Sequence, residues 1–142
     1  MKSLYFGIAV MLFLSGSCFG QDSDLLGSWV LDVDKSVKLM SGEMKSRYDS
    51  LRPDRQLAAQ SAMSGRTFTF QEDGVVSVSW RAKEASKEST GKWKADASTG
   101  TVTITIDNRA QVFDYKVTDE KELRLIHQKA SGFFTTLCFT RQ

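Results

Sequence analysis

The feature that most constrains this chain is a succession of short alternating segments, which occupies the second half of the sequence from Arg66 onward. Apolar and polar residues alternate in each segment, as they do in strands that bury one face. Residues 101–106 alternate most clearly, and turn-forming pairs such as Asp73-Gly74 and Asp107-Asn108 separate the segments. Strands joined by such short turns pair antiparallel, because parallel pairing requires a long crossover. The sequence therefore predicts an antiparallel meander.

Upstream of the meander, the sequence predicts a helical segment. Apolar residues recur there every three or four positions, as on one face of a helix, at Val37, Met40, Met44, Tyr48 and Leu51. We expect Asp34 or Ser36 to cap the start of this helix. Pro53 is expected to end it and to begin a second helix, which Gly65 closes.

A further strand precedes these helices. Residues 26–33 alternate, and their apolar positions share one face, at Trp29, Leu31 and Val33. The strands then number about eight, and antiparallel strands joined in sequence can close into an up-and-down barrel without exposed edges. We predict a mostly β fold of this kind, with the helical insertion between strands 1 and 2. An open antiparallel sheet curled around the helices is the alternative.

The N-terminal residues 1–20 have the layout of a secretory signal peptide. Lys2 supplies a positive charge, residues 4–14 are almost wholly apolar, and small residues lead to Gly20. We predict cleavage after Gly20, a β-barrel domain over residues 21–142, and a periplasmic or extracellular location without stable membrane insertion. The alternative is a lipoprotein anchored through Cys18, because residues 14–18 partly resemble a lipoprotein signal.

The remaining composition excludes several function classes. Cleavage removes Lys2 alone among the charged residues, which lowers the formal net charge of +2 by one unit and leaves no electrostatic case for nucleic acid. Cys138 is then the only cysteine, so no intramolecular disulfide can form, and its apolar strand predicts a buried thiol. His127 is the only histidine, and the chain has no glycine-rich phosphate loop. We therefore predict no catalytic residue, metal site or cofactor, and no enzyme activity.

Four short motifs occur in an order that resembles small bacterial lipocalin-like proteins, which belong to the calycin type of β-barrel. They are Gly27-Ser28-Trp29, Phe68-Thr69-Phe70, Asp73-Gly74 and Gly91-Lys92-Trp93. The resemblance covers the chain after residue 20 and implies an eight-stranded barrel. It also implies that Trp29 is a structural plug, covered by an arginine near the chain end. Arg141 matches that arginine best, with Arg124 as the fallback.

The helical pair between strands 1 and 2 resembles the lid of the fatty-acid-binding proteins. Those barrels carry a ligand clamp of basic and tyrosine residues near their end, whereas Thr140-Arg141-Gln142 contains an arginine and no tyrosine. This departure means that the resemblance extends to the fold more readily than to a particular ligand.

Two functions remain open on these grounds. The first is binding of an apolar or amphipathic small molecule in the barrel, for which Tyr115 and His127 are the inward residues able to form hydrogen bonds. The other candidate contacts are apolar, namely Trp80, Phe70, Met40 and Met44. The second function is that of a protein-binding envelope module, an inhibitor or accessory factor, whose barrel is packed solid. An eight-stranded barrel is wide enough for either arrangement.

Overall fold

The computed structural model of the protein describes residues 23–119, 121–129 and 132–142. Eight strands form one closed antiparallel barrel, in which each strand pairs with the next and the first pairs with the last. They are β1 (Gly27–Leu31), β2 (Thr67–Phe70), β3 (Val75–Ala82), β4 (Ala85–Asp96), β5 (Thr101–Ile106), β6 (Arg109–Thr118), β7 (Glu122–His127) and β8 (Thr136–Arg141). The predicted up-and-down barrel is confirmed, and the open-sheet alternative is wrong.

The helical insertion between β1 and β2 is also confirmed, but it contains three helices rather than two. They are α1 (Val33–Lys38), α2 (Gly42–Asp49) and α3 (Pro53–Met63). The chain leaves helical geometry between α1 and α2, where Ser41 is extended and Gly42 adopts a φ of +61°. This break conserves the spacing of the apolar residues, so the pattern alone indicated a continuous helix.

The predicted signal peptide over residues 1–20, its cleavage after Gly20 and the alternative lipid anchor at Cys18 lie outside the described residues. Within the ranges that the structure describes, no helix is both long enough and apolar enough to cross a membrane.

Helix α1 is capped by Asp32, and not by Asp34 or Ser36 as the sequence predicted. The Asp32 carboxylate accepts a hydrogen bond from the backbone N–H of Lys35 at 3.0 Å. Ser36 instead holds α1 against β8. Ser36 is buried, and its hydroxyl accepts the backbone N–H of Cys138 at 2.9 Å while donating to the carbonyl of Asp32 at 2.7 Å. The Cys138 thiol is fully buried, as predicted, and burial raises its pKa to about 11.

The barrel interior is filled by large side chains from every strand. Its fully or almost fully buried residues are Trp29, Leu31, Phe68, Phe70, Val76, Val78, Trp93, Val102, Ile104, Phe113, Leu123, Leu125, Leu137 and Phe139. Aromatic rings contact one another across this core, with 5.2 Å between the ring centroids of Phe70 and Trp93 and 5.0 Å between those of Phe68 and Phe139. The alternation of each strand thus delivers one face to a single packed core.

Two glycines of the short motifs are required, one by its positive φ and one by a close backbone contact. Gly27 has a φ of +112°, and a Cβ there would approach the Nη1 atom of Arg141 to 3.0 Å. At Gly91 a Cβ would lie 2.1 Å from the carbonyl oxygen of Thr105, which no side chain could tolerate. Glycine is therefore needed at both positions for steric reasons, independent of any ligand.

Candidate ligand-binding cavity

The two ends of the barrel differ in what covers them. One end, here called the mouth, carries the three helices and the connections that follow β3, β5 and β7. The opposite end, here called the closed end, carries the connections that follow β2, β4 and β6, together with both ends of the described chain. Because neighbouring strands alternate in direction, every second connection falls at the same end.

A cavity of about 270 Å³ lies at the mouth, between the barrel core and the helical insertion. We call it the mouth cavity. The floor of the cavity consists of inward residues of β2, β6 and β8. Its walls come from the end of α3 and the connection after β7. Three polar side chains also line it. The lining residues are Met63, Arg66, Phe68, Gln111, Phe113, His127, Gly132, Phe133, Phe134 and Leu137.

A single tyrosine links the helices to the wall of this cavity. Tyr48 of α2 is buried and meets Phe133 and Phe134 edge-on, with ring centroids 5.9 and 6.3 Å apart. Its hydroxyl accepts a hydrogen bond of 2.7 Å from the side-chain amide of Gln60 in α3. The contacts of Tyr48 therefore hold α2, α3 and the connection after β7 together beside the cavity.

Arg66 introduces a positive charge into this mostly apolar lining. Its Nε atom is buried and has no hydrogen-bond partner, and no described residue forms an ion pair with its guanidinium. Burial lowers the pKa of Arg66 below its ordinary value. Arginine remains protonated in proteins even so. The cavity therefore contains a cation whose hydrogen-bonding capacity is not fully used.

His127 is the predicted candidate residue that the structure places in the mouth cavity. Its ring lies against that of Phe113, with the centroids 4.3 Å apart. Burial lowers the pKa of His127 from 6.5, so the imidazole is mainly neutral at pH 7. A neutral imidazole offers one donor and one acceptor to a ligand. With Gln111, His127 also lines an adjoining cleft of about 200 Å³ on the barrel rim.

The other five candidate residues do not line the mouth cavity. Phe70 and Tyr115 each lie two positions farther from the mouth along their strands than the floor residues Phe68 and Phe113. Tyr115 and Trp80 are partly buried against the core. The remaining two belong to the helical insertion, where Met40 is buried and Met44 partly buried. Their contact with a ligand stays a prediction.

The sequence also contains a pattern that indicates Arg66 and Gln111 as polar residues at the rim of the barrel interior. Arg66 shares the alternation of Phe68 and Phe70, and Gln111 shares that of Phe113, so both precede inward-facing positions in phase. A charged or amide residue in phase with buried aromatic residues indicates a polar group at the rim of the interior. Phe133 shares the alternation of Leu137 and Phe139. Phe133 and Phe134 nevertheless precede β8, and both contact Tyr48 beside the cavity, which the alternation does not indicate.

The arginine predicted to cover Trp29 lies at the closed end. The guanidinium carbon of Arg141 is 4.3 Å from the centroid of the Trp29 ring, so this predicted contact is present. Its two terminal nitrogens donate to the carbonyls of Leu26 at 2.7 Å and Asp24 at 2.9 Å. Arg124, the fallback, donates instead to the carboxylate of Glu122 at 2.8 Å.

A resident metal has no evident site in the described ranges, which hold no group of three or more His, Cys, Asp or Glu residues placed to bind one. Among the described residues that line the mouth cavity, the polar side chains are a guanidinium, an imidazole and an amide, without a carboxylate or thiolate. Such a set suits hydrogen bonding to an organic ligand.

No protein-family model matches this chain, and no curated protein sequence matches it. Among solved structures it is similar to a DUF4847 family protein from Bacteroides vulgatus ATCC 8482, with a TM-score of 0.52 and 18% identity over 84% of this chain and 95% of that chain. It is also similar to a mutant of the REP1-NXSQ fatty acid transporter, with a TM-score of 0.45 and 13% identity over 84% of this chain and 98% of that chain. The first likeness concerns the fold alone.

Proposed function

We propose that this protein binds an apolar or amphipathic small molecule in the mouth cavity, beneath the helical insertion. The observation that carries this proposal is a concave, mostly apolar site, rich in phenylalanine, that contains only a few polar side chains. Small-molecule sites typically combine an apolar lining with a small number of polar groups that orient the ligand. The core below the floor is packed, so the ligand occupies the mouth and does not enter the barrel axis.

The size of the cavity favours a compact ligand. Its volume of about 270 Å³ lies just below the range of roughly 300–1,000 Å³ that is usual for ligand pockets. An engineered cavity of about 150 Å³ already binds benzene. We therefore favour ligands that are larger than a single ring, and we expect long chains to extend beyond the cavity.

We also propose that the protein acts outside the cytoplasm and that it binds its ligand without catalysis. The signal-peptide layout of residues 1–20 supports action outside the cytoplasm. Within the mouth cavity, His127 lies against the aromatic ring of Phe113, and none of the described lining residues is a carboxylate that could orient it as a general base. This arrangement supports a carrier or sensor without catalysis.

The test is a thermal titration of the delipidated protein with compact apolar and amphipathic compounds, namely indole, octanol and octanoate. A ligand present at a hundred times its dissociation constant stabilises the folded protein by about 2.7 kcal/mol, which raises the melting temperature. Met63→Trp, which adds a large side chain at the cavity wall, should weaken binding at least tenfold. Leu57→Trp is the matched control, because Leu57 lies on the same helix and is 64% exposed.

A specific observation also favours the second function, a protein-binding envelope module. The barrel below the mouth is occupied by its own aromatic side chains, as in a domain without an internal ligand. If none of the three compounds shifts the melting temperature, and organic extraction of native protein yields no bound molecule, small-molecule binding is contradicted. The protein-binding function then replaces it.

A further inference from the structure

The side chain of Arg66 begins from a fixed point of the backbone. Arg66 lies between the end of α3 and the first residue of β2, and its carbonyl accepts a hydrogen bond of 2.8 Å from the N–H of Leu31 at the end of β1. Its position is in phase with the inward residues Phe68 and Phe70. The guanidinium is thus directed toward the mouth cavity by the same alternation that directs the core aromatics inward.

Arg66 differs from the other paired arginines in that its Nε donor is buried without an acceptor among the described residues. Arg141 donates to two backbone carbonyls, and Arg124 donates to the Glu122 carboxylate. The Nε of Arg66 is buried without an acceptor. Buried donors are nearly always paired in native proteins, and an unpaired buried donor destabilises the fold. An acceptor from outside the chain could satisfy such a donor.

The surroundings of Arg66 select the sign of that partner. None of the described lining residues is acidic, and His127 is mainly neutral at pH 7. The cavity therefore presents one positive charge that is not compensated within it. An anion is attracted to this charge more strongly than it would be in water, because the surrounding aromatic side chains lower the local dielectric constant.

We infer that the ligand of the mouth cavity is a compact organic anion, whose carboxylate or sulfate head pairs with the Arg66 guanidinium and whose apolar part lies against Phe68, Phe113 and Leu137. This inference rests on the proposed small-molecule function and adds the charge of the ligand to it. The planar guanidinium can donate two parallel hydrogen bonds to such a head group. Gln111 and His127 supply further polar contacts from the same lining.

The experiment compares four eight-carbon ligands, octanoate, octyl sulfate, octanol and octylammonium, by isothermal titration calorimetry at neutral pH. Wild-type protein should bind octanoate or octyl sulfate at least tenfold more tightly than octanol, and octylammonium most weakly. Whichever anion binds more tightly identifies the head group. Arg66→Met conserves the length of the side chain and removes the charge, and should bring the anion and octanol to within threefold of each other.

Two further variants complete the experiment. Arg66→Lys retains the charge and should keep part of the preference for anions, which also covers the case in which Arg66→Met folds poorly. Arg52→Met is the matched control, since the Arg52 side chain is 83% exposed and pairs with Asp54 in the helical insertion. It should bind like wild type.

The outcomes separate the two proposals. Equal affinity of wild type for octanol and both anions, or an unchanged anion preference in Arg66→Met, overturns the role of Arg66 and leaves small-molecule binding intact. Absence of binding by all four ligands to wild-type protein contradicts both.

Discussion

The two ends of the barrel each place an arginine next to buried aromatic rings, and the two arginines have opposite hydrogen-bonding states. At the closed end, Arg141 lies 4.3 Å above the Trp29 ring and donates to the carbonyls of Leu26 and Asp24. At the mouth, the Nε of Arg66 is buried with no acceptor. The arginine at the closed end is therefore hydrogen-bonded within the chain, whereas the arginine at the mouth has a buried donor without an acceptor.

This difference distinguishes the end of the barrel that contributes to stability from the end at which we propose binding. The polar groups around Trp29 find acceptors within the chain, including the carbonyl of Leu25, which accepts a hydrogen bond of 2.9 Å from the Trp29 indole N–H. Such a closed set of contacts leaves nothing for a ligand to satisfy. At the mouth, a cation, an imidazole and an amide line a cavity with aromatic walls. The closed end is accordingly the structural end of the barrel, and the mouth is the end at which we propose that a ligand binds.

The largest expected effect is at the closed end. Trp29 is fully buried, so Trp29→Ala should lower the free energy of unfolding by about 3–5 kcal/mol, through lost packing and the cavity that remains. Urea unfolding followed by circular dichroism measures this loss. Ile126→Ala is the control, because Ile126 is 41% exposed on the outer face, and it should change stability little. A Trp29→Ala variant as stable as its parent would show that the closed end is not the structural end.

The second prediction applies one substitution to both arginines. Arg141→Met removes two hydrogen bonds from a charged donor and the contact with Trp29, and should lower the free energy of unfolding by about 1–2 kcal/mol. Arg66→Met removes a buried unpaired donor, and should raise the free energy of unfolding by about 1 kcal/mol. Urea unfolding without ligand measures both. Losses of similar size in the two variants would mean that Arg66 is bonded within the fold.

The smallest effect concerns the pH dependence of stability at the mouth. The pKa of His127 is lowered by burial, so the unfolded chain binds this proton at a higher pH than the folded protein does. The stability that neutral His127 contributes to the folded protein is therefore fully present above about pH 6.5. It is lost as the pH falls through the pKa of His127 in the folded protein. His127→Gln should reduce the drop in stability between about pH 7.5 and pH 5.5. An identical drop in both proteins would place the titration elsewhere.

The barrel was predictable because its information is local. Strands such as Thr101–Ile106 alternate strictly, and turn pairs such as Asp107-Asn108 adopt the positive φ that tight hairpins need. The break between α1 and α2 was not predictable from the spacing of apolar residues, which continues through Ser41 and Gly42.

The candidate site was predictable only in part. His127 was identified because it is a solitary polar residue in phase with buried leucines of β7. Arg66 was missed because a charged residue directly before a strand is ordinarily solvated, and only the packing around the mouth buries its Nε. The aromatic wall depends on contacts between Tyr48 and the connection after β7, which are far apart in sequence. No local pattern encodes such a contact.

The most direct test of the account is an NMR titration of the protein with octanoate that reads both ends of the barrel at once. The Met63 methyl group and the His127 ring report on the mouth cavity. The indole N–H groups of Trp29 and Trp93, bonded to the carbonyls of Leu25 and Gln71 at 2.9 and 3.0 Å, report on the closed end. We predict that the mouth resonances shift with saturation while both indole resonances stay in place. Shifts confined to the indole resonances, or no shift at millimolar octanoate, would contradict ligand binding at the mouth.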